Sequence, residues 1–342
     1  MNNAGQMKVN STSYLIFIAL LLITIFLGLI LFGCDSRTEQ YHIEILAGDP
    51  GSHEVVTGFK ERMAELGYVE GQNILYSLND FSTFSDPTQE VRIKTQAAHG
   101  ADLIFTLFTE VSLVAREASA STGTPMVFAY AAIEDTGLIK SIREPGGRIT
   151  GVRYPGPEQI IKRLEILNQI APQNKRIFIV YVRDYATIHP VLTELRTLAR
   201  SLGVSLVEAE VQGLDDLEKE LLMRDQLPDP GMDAILLMPD NVNHSHAGWK
   251  MIRDFAARHD LPIAGSFFHA VEQGALFGNA NDMVEVGRQA APLVDKILQG
   301  IPAGTIPVVS PEPDLYINYK RAQELGLDIP EGLLRQAKSI LQ

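Results

Sequence analysis

"TEQYHIEILAGDPGSHEVVTGFKERMAELGYVEGQNI", residues 38–74, carries the signals that decide the fold. Ile43, Ile45 and Leu46 make a short apolar strand that stops at the turn formed by Gly48, Asp49, Pro50 and Gly51. Val55, Phe59, Met63 and Leu66 then recur at the spacing of one helix face, and Gly67 supplies the C-terminal stop. A further strand is expected around Ile74–Leu78. Strand, tight turn, amphipathic helix and strand open a parallel α/β sheet with right-handed crossovers.

The same alternation runs outward from this unit. A helix near Thr88–His99 precedes the buried-strand run "ADLIFTLF" (101–108), a helix over Val111–Ser119 and the strand "TPMVFAY" (124–130). The theme then restarts. "EQIIKRLEILNQIAP" (158–172) places Ile160, Leu164, Leu167 and Ala171 along one stripe, and "KRIFIVYV" (175–182) is apolar on both faces, as a central parallel strand is. "PVLTELRTLARSLG" (190–203), "VSLVEAEV" (204–211), "MDAILLMP" (232–239), "AGWKMIRDFAARHD" (247–260) and "LPIAGSF" (261–267) continue helix and strand in turn. The expected architecture is α/β: two Rossmann-like lobes with parallel sheets, joined by a hinge near Tyr154–Pro157. The late helix "MVEVGRQAAPLVDKILQG" (283–300) and the tail 314–341 are extra and cross back between lobes. Residues 41–154 with 279–309 then form lobe I, and 155–278 with 310–342 lobe II.

In open α/β sheets ligands sit beyond the carboxyl ends of the strands. Two sheets facing one another give a cleft that closes about a hinge. The residues expected there are Asp49 after the first strand; Thr106, Thr109 and Glu110 after the third; Tyr130 after the fourth; and Tyr154 at the joint. Arg183 and Tyr185, Asp240 and Asn241, and Ser266, Phe267 and Phe268 come from the second lobe, and Asn279 from the start of the returning lobe I segment. Hydroxyls, amides, one basic group and aromatic rings suit a small polar or aromatic solute. The same residue types also cap helices, Thr109 and Asp240 above all, and Arg183 with Asp184 also reads as a surface pair.

Several chemistries lack support. No G-x-G-x-x-G follows the first strand, no G-x-x-x-x-G-K-[ST] occurs, and there is no G-x-S-x-G elbow. No activated nucleophile or matched acid–base pair can be named, so an enzyme is not expected, and no cofactor is implied. His244, His246 and His269 near Asp240 could be weighed as metal ligands, but H-x-H ahead of a helix reads as solvated or as helix entry, so no metal is expected. The net charge of −13 argues against nucleic acid as partner.

The N-terminus is a separate problem. Tyr14–Gly33 holds 20 consecutive uncharged residues, long enough to span a membrane. It ends at Cys34, the single cysteine of the 342 residues, in the tetrad "LFGC" (31–34). That tetrad resembles a bacterial lipobox, which implies cleavage before Cys34 and its lipidation; the alternative is an uncleaved anchor helix. Residues 1–33 are then signal or membrane segment and 34–40 a linker. Either reading puts the remainder outside the cytoplasm at the membrane face, and with one cysteine no internal disulfide can form there.

The segments "ERMAELGYVEGQNI" (61–74), "ADLIFTLFT" (101–109), "GLIKSIREPGGRITGV" (137–152), "MPDN" (238–241), "LPIAGS" (261–266), "VEQGAL" (271–276) and "INYKRAQELGLDIPEGLL" (317–334) occur in the order of one family. From Tyr41 to Leu341 the chain resembles the ABC-transporter substrate-binding proteins of the tryptophan/tyrosine-binding type, with the type 1 periplasmic-binding-protein fold. The resemblance implies a lipid-anchored receptor that delivers a small-molecule ligand to an ABC permease and its ATPase. Asp35 beside the cysteine resembles an inner-membrane retention signal. The alternative is a tethered sensor reporting occupancy to a signalling partner.

The family's binding positions match unevenly. Thr109, Asp240 and Asn241 match, but Glu110 stands where a proline usually follows the threonine. "YAAIED" (130–135) replaces a Thr-Asp-Pro turn. Phe267, Phe268 and His269 occupy the loop where an acidic residue commonly meets a ligand's amino group. The expectation is that Arg183 meets a carboxylate while Phe267, Phe268 and Tyr130 flank a ring or acyl portion.

Overall fold

The computed structural model describes residues 40–47, 52–80, 87–97, 100–185 and 188–342. Cys34 with its apolar leader, and Asp49, lie outside them. The first half runs β1 (Tyr41–Ala47), α1 (Ser52–Glu65), β2 (Ile74–Asp80), α2 (Pro87–Ala97), β3 (Leu103–Leu107), α3 (Thr109–Thr122), β4 (Met126–Ala131) and β5 (Ile149–Arg153). Its five strands are ordered β2-β1-β3-β4-β5 and all pair in parallel. Every residue of β3 and β4 is buried, because helices cover both faces of the sheet.

The second half runs α4 (Gly156–Ile170), β6 (Arg176–Val182), α5 (Ile188–Leu202), β7 (Ser205–Val211), α6 (Leu214–Asp225), β8 (Ala234–Leu236), α7 (Asn241–His244), α8 (His246–Arg258), β9 (Ile263–Gly265), α9 (Phe268–Glu272) and β10 (Phe277–Ala280). After α10 (Met283–Leu298) come β11 (Asp314–Asn318), α11 (Tyr319–Glu324), α12 (Glu331–Gln336) and β12 (Ala337–Leu341). The seven strands are ordered β12-β11-β10-β9-β8-β6-β7. One pairing departs from the parallel expectation: β11 is antiparallel to β10. The chain leaves the sheet at the carboxyl end of β10 and returns at that same end, so the next strand must run the other way.

α10 belongs to the first half. Its Met283, Val286, Ala290 and Val294 join Val55, Phe59 and Met63 of α1 in one buried cluster. The two helices approach at glycines: a Cβ on Gly58 would lie 1.9 Å from the Val284 carbonyl oxygen, and one on Gly287 2.0 Å from that of Val55.

Three strands of chain connect the halves. The first follows β5, and the third runs beside it, with Val309 N–H donating to Gly151 O at 2.9 Å and Arg153 N–H donating to Val309 O at 2.9 Å. The second passes through Asn281 and Asp282, where Asp282 caps α10 by accepting from the Val284 and Glu285 amides. Asn279 therefore lies in the second sheet, not in lobe I as expected, because β10 runs on to Ala280 before the chain crosses. Arg153 holds the junction. Its Nε donates to Ser310 Oγ at 2.7 Å, its Nη1 to Glu134 at 2.6 Å and its Nη2 to Glu158. Among the described residues no helix is long and apolar enough to cross a membrane.

Candidate functional site

The carboxyl ends of the two sheets meet, and the contacts there are polar and aromatic. From the first sheet, Phe108 ends the β3 turn with φ 65 and Tyr130 sits at φ 58, at a break in the register between β4 and β5. Two bulky residues in left-handed backbone cost about 1–3 kcal/mol each, and such strain clusters where a side chain must be aimed. The Tyr130 ring lies 4.9 Å from that of Tyr154 and 6.3 Å, edge-on, from that of Phe108. Gly156 opens α4 without a side chain because a Cβ would meet Tyr154 Cε1 at 2.7 Å. Burial holds both tyrosine hydroxyls well above their ordinary range, so both are neutral donors, and Gln159 of α4 bonds that of Tyr130.

From the second half, α4 supplies the charge. Arg163 is 2% exposed. Its Nε and Nη2 donate to the Asn279 carbonyl at 3.1 and 2.9 Å, its Nη1 to Ser266 Oγ at 3.0 Å and its Nη2 to Gln159 Oε1 at 3.2 Å. Gln159 in turn donates to Asn281 Oδ1. His244 Nε2 lies 3.0 Å from Ser266 Oγ, and its ring packs edge-on to Phe267 at 4.9 Å. Burial, with the charge of Arg163 and with His269 close by, pushes the His244 pKa down to about 3, so the ring is neutral near pH 7. Phe267 also packs on the core of the first half. Tyr185, beyond β6, meets Glu110 of α3, and burial followed by that carboxylate raises its hydroxyl above the ordinary range.

The structure thus brings together Tyr130, Tyr154, Ser266, Phe267 and Asn279, with Tyr185 and Glu110 as a second contact between halves. Other expected residues have internal duties. Thr106 Oγ1 pairs with Ser112 Oγ at 2.8 Å, and Thr109 Oγ1 accepts from the Ala132 amide at 3.0 Å. Asp240 is fully buried as the cap of α7, accepting from the Val242 and Asn243 amides and from Val182 N–H, while Asn241 is exposed. Thr106, Thr109 and Asp240 thus fasten loops and cap a helix in this structure. Phe268 is 38% exposed and packs on Tyr316.

Arg183 lies apart from this cluster. Its side chain is 63% exposed and paired with Glu210 on β7. The strand ends at Val182, so the turn carries the guanidinium out to the next strand. The basic group of the cluster is Arg163. Arg163 and Gln159, four apart on α4, each lie one position before Ile160 and Leu164 of the apolar stripe. That offset is the one sequence signal that could have found them. His244, read as helix entry, is also part of the cluster.

A family model described as ABC transporter substrate binding protein matches residues 42–341. A tyrosine-binding protein of Clostridioides difficile (strain R20291) is 24% identical over 296 residues, spanning 86% of this chain and 83% of its own. Among solved structures, a conserved domain protein from Vibrio cholerae superposes with TM-score 0.73 at 24% identity, over 89% of this chain and 100% of its own. An ABC domain from Streptococcus pneumonia, in complex with L-Trp, gives 0.73 at 23% identity, over 88% and 100%. These structural likenesses show a shared fold.

Proposed function

This chain belongs to the ABC transporter substrate binding protein family, and from that premise we propose that it is an extracytoplasmic receptor which captures a small polar or aromatic solute between its two lobes and delivers it to an ABC permease and its ATPase. The family is one of binding proteins, not enzymes. The observation that carries the proposal is the cluster just described. Rings from the first sheet and a buried cation with amides from the second converge at the strand ends, and three connecting segments form a hinge beside them. A ligand bonded by both lobes is held more tightly when they close, so it selects the closed state. Relatives that bind tyrosine and L-Trp favour a solute of amino-acid size with a ring. Cys34, after its apolar leader, is the lipid attachment that keeps the receptor at the outer face of the membrane.

Two measurements test this. Native mass spectrometry of the purified full-length chain should reveal one co-purified small molecule, released unaltered on denaturation; repeated preparations without any would count against capture. Radiolabelled palmitate should label the chain in cells and fail to label Cys34→Ser.

A further inference from the structure

Arg163 is buried with its charge uncompensated. Among the described residues no carboxylate lies within 4 Å of its guanidinium, and its bonds go to a carbonyl, a hydroxyl and an amide. Of the described acidic groups around the junction, Glu134 and Glu158 pair with Arg153, Glu110 meets Tyr185, and Asp240 and Asp282 cap helices. A buried cation without a counterion is strongly unfavourable, and arginine cannot escape by losing its proton. Beside it Asn279 Oδ1 and Asn281 Nδ2 are buried without partners, one acceptor and one donor, on the chain to which Arg163 and Gln159 are bonded. One N–H of Arg163 Nη1 is also left over, since its five N–H groups make four hydrogen bonds.

We propose that the solute is a monoanionic carboxylic acid whose carboxylate neutralises Arg163 and whose hydroxyl or similar neutral donor meets the Asn279–Asn281 pair, so that zwitterionic amino acids bind less well. The inference rests on the reading of the cluster as a solute site. Charge balance carries it. A zwitterion adds no net charge, so its ammonium would lie close to Arg163 and find no free carboxylate among the described residues. A monoanion supplies Arg163 with the counterion it lacks. Tyr130, Tyr154 and Phe267 supply ring faces for an aromatic remainder.

Calorimetry on the full-length chain in detergent tests this with matched pairs: phenyl-, 4-hydroxyphenyl- and indolyl-lactate against phenylalanine, tyrosine and tryptophan. The expected result is that at least one hydroxy acid binds ten-fold or more tightly than its amino acid. Arg163→Gln should reduce that affinity by at least ten-fold, Arg163→Lys by less, with ligand-free thermal midpoints unchanged or raised, because a purely structural arginine would lower them. Amino acids binding as well as the hydroxy acids, or Arg163→Gln leaving affinity within three-fold, would overturn the charge argument while leaving the receptor reading intact. Binding by neither series overturns the inference too, and if native spectra also carry no small molecule, the receptor reading falls with it.

Discussion

Replacing Arg153 by methionine tests the junction between the two halves. The side chain is 9% exposed and reaches three segments: Glu134 in the first lobe, Glu158 at the start of α4 in the second, and Ser310 in the returning strand. Glu158 is 56% exposed, so its ion pair is worth less than about 1 kcal/mol. Glu134 is 28% exposed, and stranding its carboxylate costs a fraction of the ~3–5 kcal/mol of a fully buried pair, about 1–2 kcal/mol. Losing the charge-assisted bond to Ser310 adds about 1 kcal/mol, since the serine can turn to other partners. The sum is about 3 kcal/mol against unfolding, or roughly 5 °C in Tm for a chain of this size. Denaturant unfolding followed by circular dichroism measures it. A double-mutant cycle with Glu134→Gln should show a coupling of about 1 kcal/mol or more. Additive single effects, or a total loss under about 0.5 kcal/mol, would refute the view that Arg153 ties the lobes together.

Other consequences follow from the packing and the charges. Gly58→Ala or Gly287→Ala puts a Cβ about 2 Å from a backbone carbonyl oxygen of the facing helix, which cannot rotate away. Either should destabilise by about 2–3 kcal/mol in denaturant unfolding despite alanine's better helix propensity, and a neutral outcome would mean that α1 and α10 do not pack this closely. His244 takes a proton near pH 6.5 when unfolded but only near 3 when folded. The unfolded chain therefore binds more protons between those values, and stability, fully present above about 6.5, falls with pH by at most about 1.4 kcal/mol per unit. His244→Gln should flatten that slope in unfolding measured between pH 4 and 6; an unchanged slope would place the titration elsewhere.

Much of the fold was legible because burial is local in sequence. β3 and β6 are continuous apolar runs, and α1 and α4 carry their stripes at helical spacing. The last three strands were not read. β10 holds Gly278 and Asn279, and β11 and β12 exist as strands only through pairing partners the chain meets after crossing back. α6 was also passed over, since only Leu217 and Leu221 are buried and its other apolar residues, Leu222 and Met223 among them, break the stripe. At the strand ends the difficulty is chemical. Thr106, Thr109 and Asp240 are the residue types of ligand contacts and equally those of caps and loop fasteners, and the internal hydrogen bonds they make cannot be read from residue type. Arg163 was hidden by the opposite prejudice, that an arginine on an amphipathic helix faces water.

The central claim is that two hinged lobes close on a solute and release it unchanged. X-ray scattering of the full-length chain, titrated with the solute recovered from it or with the tightest compound of the calorimetric series, addresses that claim most directly. The account predicts a smaller radius of gyration at one equivalent, reversed on dialysis, with the compound's mass unaltered. Saturation without any change in the scattering profile, or recovery of a chemically altered compound, would contradict it.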